Sequence, residues 1–66
     1  MMLTVNGERE QWDDGLSLAD LVSRRMRSDR GVAAAVDGSV APRSGWGALI
    51  LHEGQTIELL TAVQGG

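Results

Sequence analysis

Few side chains in this sequence have the type and spacing to do chemistry, and those few stand apart from one another. His52 is the only histidine and lies next to Glu53-Gly54, where a lone imidazole ordinarily serves as an exposed turn residue rather than a base or ligand. Asp13 and Asp14 are adjacent carboxylates before Gly15, a pattern that reads as a solvated turn. Ser17, Ser23, Ser28, Ser39 and Ser44 have no histidine close in sequence to activate them, and neither a Gly-x-Ser-x-Gly elbow nor a phosphate loop is present. Cysteine is absent, which removes disulfides, thiolate nucleophiles and thiolate metal sites together. The expectation is a chain with no catalytic residue, no metal ligands and no bound cofactor, and therefore not an enzyme.

The reactive group that remains is the terminal carboxylate of Gly66. It closes the segment Ala62-Val63-Gln64-Gly65-Gly66, which fully extended reaches about 17 Å, enough to cross the wall of another protein's active site. Bare glycine backbone at Gly65 and Gly66 suits a narrow slot and does nothing for folding. A carboxylate resists nucleophiles because of its charge and its poor leaving group, so a second enzyme must activate it. ATP does this by forming an acyl adenylate, and sulfide replacing AMP, or a persulfide replacing it with reduction of the acyl disulfide that results, leaves a thiocarboxylate on Gly66. The same adenylate could instead form an isopeptide with a lysine, as in a ubiquitin-like modifier. A plain interaction module would leave the tail unmodified.

The chain has 66 residues, a length that makes one domain with a small core, since a 60-residue domain buries only about 60% of its unfolded surface. Its net charge of −3 gives counterion release little to work with, which argues against nucleic acid as a partner. No apolar run approaches the ~20 residues that span a bilayer, and Met1 to Asn6 lacks the features of a signal peptide. A soluble cytoplasmic protein with no membrane partner is expected.

Pattern then supplies the elements. Leu3 and Val5 alternate with Thr4 and Asn6 in a first strand, Met1 to Asn6. Asn6-Gly7 is a two-residue hairpin signal leading to a second strand, Glu8 to Trp12. Leu18, Leu21, Val22 and Met26 form the apolar stripe of a helix that starts at Ser17, where Ser17 and Asp20 resemble a capping box. Arg24, Arg25, Arg27 and Arg30 fall toward its end and Gly31 reads as its stop; the arginines suit either a solvated face or a basic docking patch. Strands follow at Val32 to Val36, Ser39 to Ala41 after the turn Asp37-Gly38, Ala48 to Leu51, and Thr56 to Thr61. Pro42 to Gly47 reads as a turn with Trp46 over one edge of the core.

This order predicts an α+β fold with one helix packed on a single mixed sheet of four or five strands, the ubiquitin-like β-grasp arrangement, if the first and last strands are parallel neighbours in its middle. Residues 1–61 form the domain and 62–66 a flexible tail. In the last strand the two-residue period turns Ile57 and Leu59 toward the helix and Glu58, Leu60 and Ala62 away, which makes these three the partner-docking candidates.

Four stretches, Val32-Ala33-Ala34-Ala35-Val36-Asp37-Gly38, Val40-Ala41-Pro42-Arg43-Ser44-Gly45-Trp46, Glu53-Gly54-Gln55-Thr56-Ile57-Glu58 and the end Gly65-Gly66, carry a likeness along almost the whole length of the chain: it resembles the sulfur-carrier proteins of thiamine biosynthesis, the ThiS family. Pro42, Arg43 and Trp46 discriminate best, since the small subunit of molybdopterin synthase shares the fold and the Gly-Gly end without them. That subunit and the ubiquitin-like modifier are the alternatives. Asp37 stands where the family often has Asn, and Gln55 where it often has Asp. The resemblance implies adenylation of Gly66 by a ubiquitin-activating-like enzyme that consumes ATP. It also implies recognition of the tail through Gly65, Gln64 and Val63, sulfur from a cysteine desulfurase or rhodanese, and delivery to thiazole synthase.

Overall fold

A computed structural model of the chain describes residues 1–61. β1 (Met2–Val5) and β2 (Glu8–Gln11) form the first hairpin, α1 (Leu18–Arg25) follows, and β3 (Val32–Val36), β4 (Ser39–Ala41) and β5 (Thr56–Thr61) complete the described elements. The five strands make one sheet in the order β2-β1-β5-β3-β4. β1 runs parallel to β5, and every other neighbouring pair is antiparallel. This is the ubiquitin-like β-grasp fold, with the last strand at the centre. No helix among the described residues is long and apolar enough to cross a membrane.

Both hairpin turns form as their residues dictate. Asn6 and Gly7 have φ of 51° and 84°, and Asp37 and Gly38 have φ of 50° and 84°, the positive pair that a type I′ turn requires and that Asn, Asp and Gly tolerate. The capping box of α1 is complete: Ser17 Oγ accepts from the Asp20 N–H at 3.1 Å, and the Asp20 carboxylate accepts from the Ser17 N–H at 3.3 Å. Leu18, Leu21 and Val22 are buried and Met26 packs half-buried against the same core.

The helix stops earlier than Gly31. The Met26 N–H makes the last helical bond, to the Val22 carbonyl at 2.8 Å, and Met26 itself is extended, with φ −117° and ψ 147°. Short polar side chains beyond it offer the backbone another partner: Ser28 Oγ accepts from the Arg30 N–H at 3.1 Å. Gly31 belongs to the turn into β3, so Arg27 and Arg30 lie outside the helix.

The strand expected at Ala48 to Leu51 is not part of the sheet. Ile50 makes an isolated antiparallel bridge with Ser17, and this segment bonds to the chain entering α1: Leu18 N–H to the Leu49 carbonyl at 2.8 Å and Leu51 N–H to the Leu16 carbonyl at 2.9 Å. Packing explains the arrangement. An eight-residue helix is about 12 Å long, the width of two to three strands at roughly 4.8 Å spacing. The segment after β4 covers what α1 leaves bare, and Trp46 and Leu51 enter the core with 4% and 1% exposure. Trp46 is thus a central core residue and not an edge ring.

Ile57 is fully buried under α1 on the central strand, and Ile57→Ala is expected to cost on the order of 2 to 5 kcal/mol in a chemical denaturation experiment. Ser17→Ala removes a cap and should cost about 0.5 to 2 kcal/mol.

Candidate docking face and tail

The side of the sheet away from α1 has no covering layer among the described residues, and β5 runs through its middle. Along β5 burial alternates: Ile57 and Leu59 are buried while Thr56, Glu58 and Leu60 are exposed, as the two-residue period requires. Leu60 lies opposite Ala33, and Glu58 opposite Ala35, which in turn faces Val40 on β4. These side chains enclose a shallow depression of about 130 Å³. Its floor is alanine, whose methyl groups leave room, and its walls are Leu60 and Val40, exposed to 70% and 80%. Glu58 places one carboxylate at the wall.

Glu58 and Leu60 therefore stand on the open face as expected. Ala62, Val63, Gln64, Gly65 and Gly66 lie outside the described residues. Sequence reasoning missed Val40, Ala33 and Ala35 as parts of this face. The signal was present in the period of two across Val32 to Val36 and in the turn register, which pairs Val36 with Ser39 and Ala35 with Val40.

β5 is held in place by the two hairpin turns. Asn6 Oδ1 accepts from the Leu59 N–H at 2.7 Å, and the Asn6 N–H donates to the Ile57 carbonyl at 2.9 Å. At the other end Asp37 Oδ1 accepts from the Thr56 N–H at 2.9 Å. Gln55 Nε2 donates to the second Asp37 oxygen over a long 3.4 Å. Asp37 and Gln55, the two positions at which the resemblance leads one to expect Asn and Asp, touch each other. An Asn in place of the first and an Asp in place of the second would keep one amide facing one carboxylate with the roles exchanged.

The Pro42-Arg43-x-x-Trp46 piece is structural. Arg43–Gly45 form a 3₁₀ turn after Pro42, and this turn drops the Trp46 indole into the core, where its N–H donates to the Ala41 carbonyl at 2.7 Å. The Arg43 guanidinium lies 6.0 Å from the centre of the Trp46 ring and pairs with Asp29 at 2.7 Å, linking the loop after α1 to the 3₁₀ turn. The hydrogen bond from Arg43 holds the Asp29 carboxyl below the usual carboxylate range.

The other candidates stay apart. His52 is exposed and its backbone N–H donates to Gln55 Oε1 at 2.8 Å. Asp14 pairs with the terminal amine of Met1 at 3.4 Å. Ser17 is the helix cap. Arg25 meets Glu10 at 3.1 Å, and the second oxygen of Glu10 accepts from the Trp12 indole at 3.0 Å. No group of three or more His, Asp or Glu residues is placed to hold a metal among the described residues.

A β-grasp domain whose central last strand precedes a Gly-Gly terminus and whose open face carries exposed apolar side chains defines a small ubiquitin-like protein. The chain belongs to the ThiS family, whose model it matches over residues 3–66. It is also similar to ThiS, a thiamine biosynthesis protein from Geobacter metallireducens, in two solved structures. The crystal structure is 29% identical with a TM-score of 0.86, and each chain is covered completely. The NMR solution structure, 29% identical with a TM-score of 0.82, matches all of this chain and 88% of the other. No curated protein matches the sequence.

The Asp29 pair has a pH signature. A carboxylate with a lowered folded-state pKa contributes its stabilisation above the unfolded value of about 3.9 and loses it as pH falls through the folded value. NMR titration of the Asp29 carboxyl carbon should give a midpoint below that of an ordinary aspartate. Arg43→Ala should raise it, and added salt should narrow the difference because both side chains are more than half exposed.

Proposed function

We propose that this chain is a sulfur carrier of thiamine biosynthesis, activated at Gly66 by a partner enzyme. The observation that carries the reading is the family match, which runs to the last glycine of the chain. The position of β5 supports it, since the centre of the sheet is the most firmly bonded place from which to present a following segment.

The chemistry needs two steps. An oxygen of the Gly66 carboxylate attacks the α-phosphate of ATP, pyrophosphate leaves, and an acyl adenylate forms. Hydrosulfide then attacks the acyl carbon, the bond to AMP breaks, and a thiocarboxylate remains. With a persulfide donor the first product is an acyl disulfide, and a second thiol must reduce it to release the thiocarboxylate. The adenylating enzyme is of the ubiquitin-activating type, the sulfur comes from a cysteine desulfurase or rhodanese, and thiazole synthase receives it. ATP is consumed by the activating enzyme and not bound here. Val63, Gln64 and Gly65 are read by the slot that accepts the tail, while Leu60, Ala62 and Glu58, with Val40, meet the partner's surface. A leucine and a valine flanking an alanine floor suit an apolar anchor, and large exposed apolar patches mark such contacts.

Incubation with an adenylating enzyme of this type, ATP and hydrosulfide should raise the intact mass by the difference between sulfur and oxygen, with the change mapping to the terminal peptide. An unchanged mass under conditions that convert a known carrier overturns the reading, and conjugates of higher mass joined to lysine would make the chain a modifier. Gly65→Val should abolish adenylation with Tm nearly unchanged, because a β-carbon at that position obstructs a slot shaped for bare backbone. Leu60→Asp should weaken binding to the adenylating enzyme or thiazole synthase by about tenfold or more while the circular dichroism spectrum stays that of the parent.

A further inference from the structure

A cavity of about 300 Å³ opens on the helix side of the molecule, away from the face that carries Leu60. Its floor is apolar: Val22 and Trp46 are buried, and Ala19 and Met26 are half-buried beside them. The rim carries Ser23, Arg27, Ser28 and Asp29. Three of these four are already engaged. Ser23 donates to the Asp20 carbonyl at 2.9 Å, Ser28 accepts from the Arg30 N–H at 3.1 Å, and Asp29 is paired with Arg43 at 2.7 Å. Arg27 has no ion-pair partner among the described residues, nor does Arg30.

The helix dipole does not account for these two arginines. It favours cations within the last turn and fades beyond it, and α1 ends at Arg25. With Asp29 neutralised by Arg43, the rim presents the cation of Arg27 over an apolar floor. The cavity lies at the small end of the size range of ligand sites, about 300 to 1,000 Å³, which suits one anchoring side chain better than a cofactor. Its floor is preformed, because the Trp46 indole is held by the Ala41 carbonyl at 2.7 Å, so little ordering is required on binding.

We propose that this cavity is a second docking point, which takes an acidic segment of a partner protein that inserts one aromatic side chain over Trp46 and sets a carboxylate against Arg27. Charge complementarity selects that occupant. Arg27 is the one cation lining the cavity that has no ion-pair partner among the described residues, and it stands beside the apolar floor of Val22 and Trp46.

The test is NMR titration of the full chain with a capped peptide of four glutamates around a central phenylalanine. The expected result is saturable perturbation of the Ala19, Val22, Ser23 and Arg27 amides and of the Trp46 indole N–H. Replacing the phenylalanine of the peptide by alanine should weaken binding about tenfold or more, as loss of a buried anchor does. Arg27→Glu, at an exposed position, should weaken it about three- to tenfold, the range that loss and reversal of an exposed ion pair provide. Leu60→Asp should leave the titration unchanged, which keeps this surface distinct from the sheet face and its chemistry. The proposal is overturned by an absence of perturbation, by binding indifferent to the phenylalanine or to Arg27→Glu, or by shifts that depend on protein concentration alone, which would assign the cavity to self-association.

Discussion

The parallel pairing of β1 with β5 is the constraint on which the rest of this molecule depends. Thr4 faces Thr56 and Val5 faces Ile57, so the beginning and the end of the domain are bonded at the centre of one sheet. Parallel neighbours cannot be joined by a tight turn, and the chain between them must cross over a face of the sheet. α1 makes part of that crossing, and its apolar stripe covers one side. Among the described residues no second helix is available for the other side. The division between a core face and an open face is therefore fixed by connectivity before any particular side chain is chosen.

A single short helix leaves a covering problem, and the segment after β4 answers it. Trp46 fills the space beside α1, and the Ala19 N–H donates to the Trp46 carbonyl at 3.1 Å. Leu49 and Leu51 pack in the same layer. The polar groups that this burial takes from water find partners: the Trp46 indole bonds to the Ala41 carbonyl, and no buried side-chain nitrogen or oxygen among the described residues is left without one. With thirteen buried apolar residues in the core among the described residues, one unpaired buried donor would remove about 1 to 3 kcal/mol, a large part of the stability of a small domain.

Most of the architecture was legible in the sequence because turns and caps are local chemistry. Asn6-Gly7 and Asp37-Gly38 each specify positive φ at two positions, and Ser17 with Asp20 specifies a helix start. These features need no knowledge of the rest of the chain. The errors fall where tertiary contacts decide. Ala48 to Leu51 has strand character in isolation, yet its hydrogen bonds go to Leu16 and Leu18 beside the helix entry and not to the sheet. Gly31 is a good stop signal and the competing turn at Ser28 and Asp29 is a weak one, so the sequence pattern points to a later helix end than the structure has. On the open face, the outward side of Leu60 followed from the two-residue period, while the contribution of Val40 required the register across the second hairpin.

The two turn residues that reach across to β5 also determine its position along the sheet. Asn6 holds the Leu59 N–H and Asp37 holds the Thr56 N–H, so each hairpin grips the central strand at its own fixed position. Slippage of β5 by one residue would break both grips, bring Leu60 to the inside and Leu59 to the outside, and displace whatever follows Thr61 by about 3.3 Å. The grips act as a gauge. They fix to the nearest residue where Thr61, the last described position, stands on the sheet.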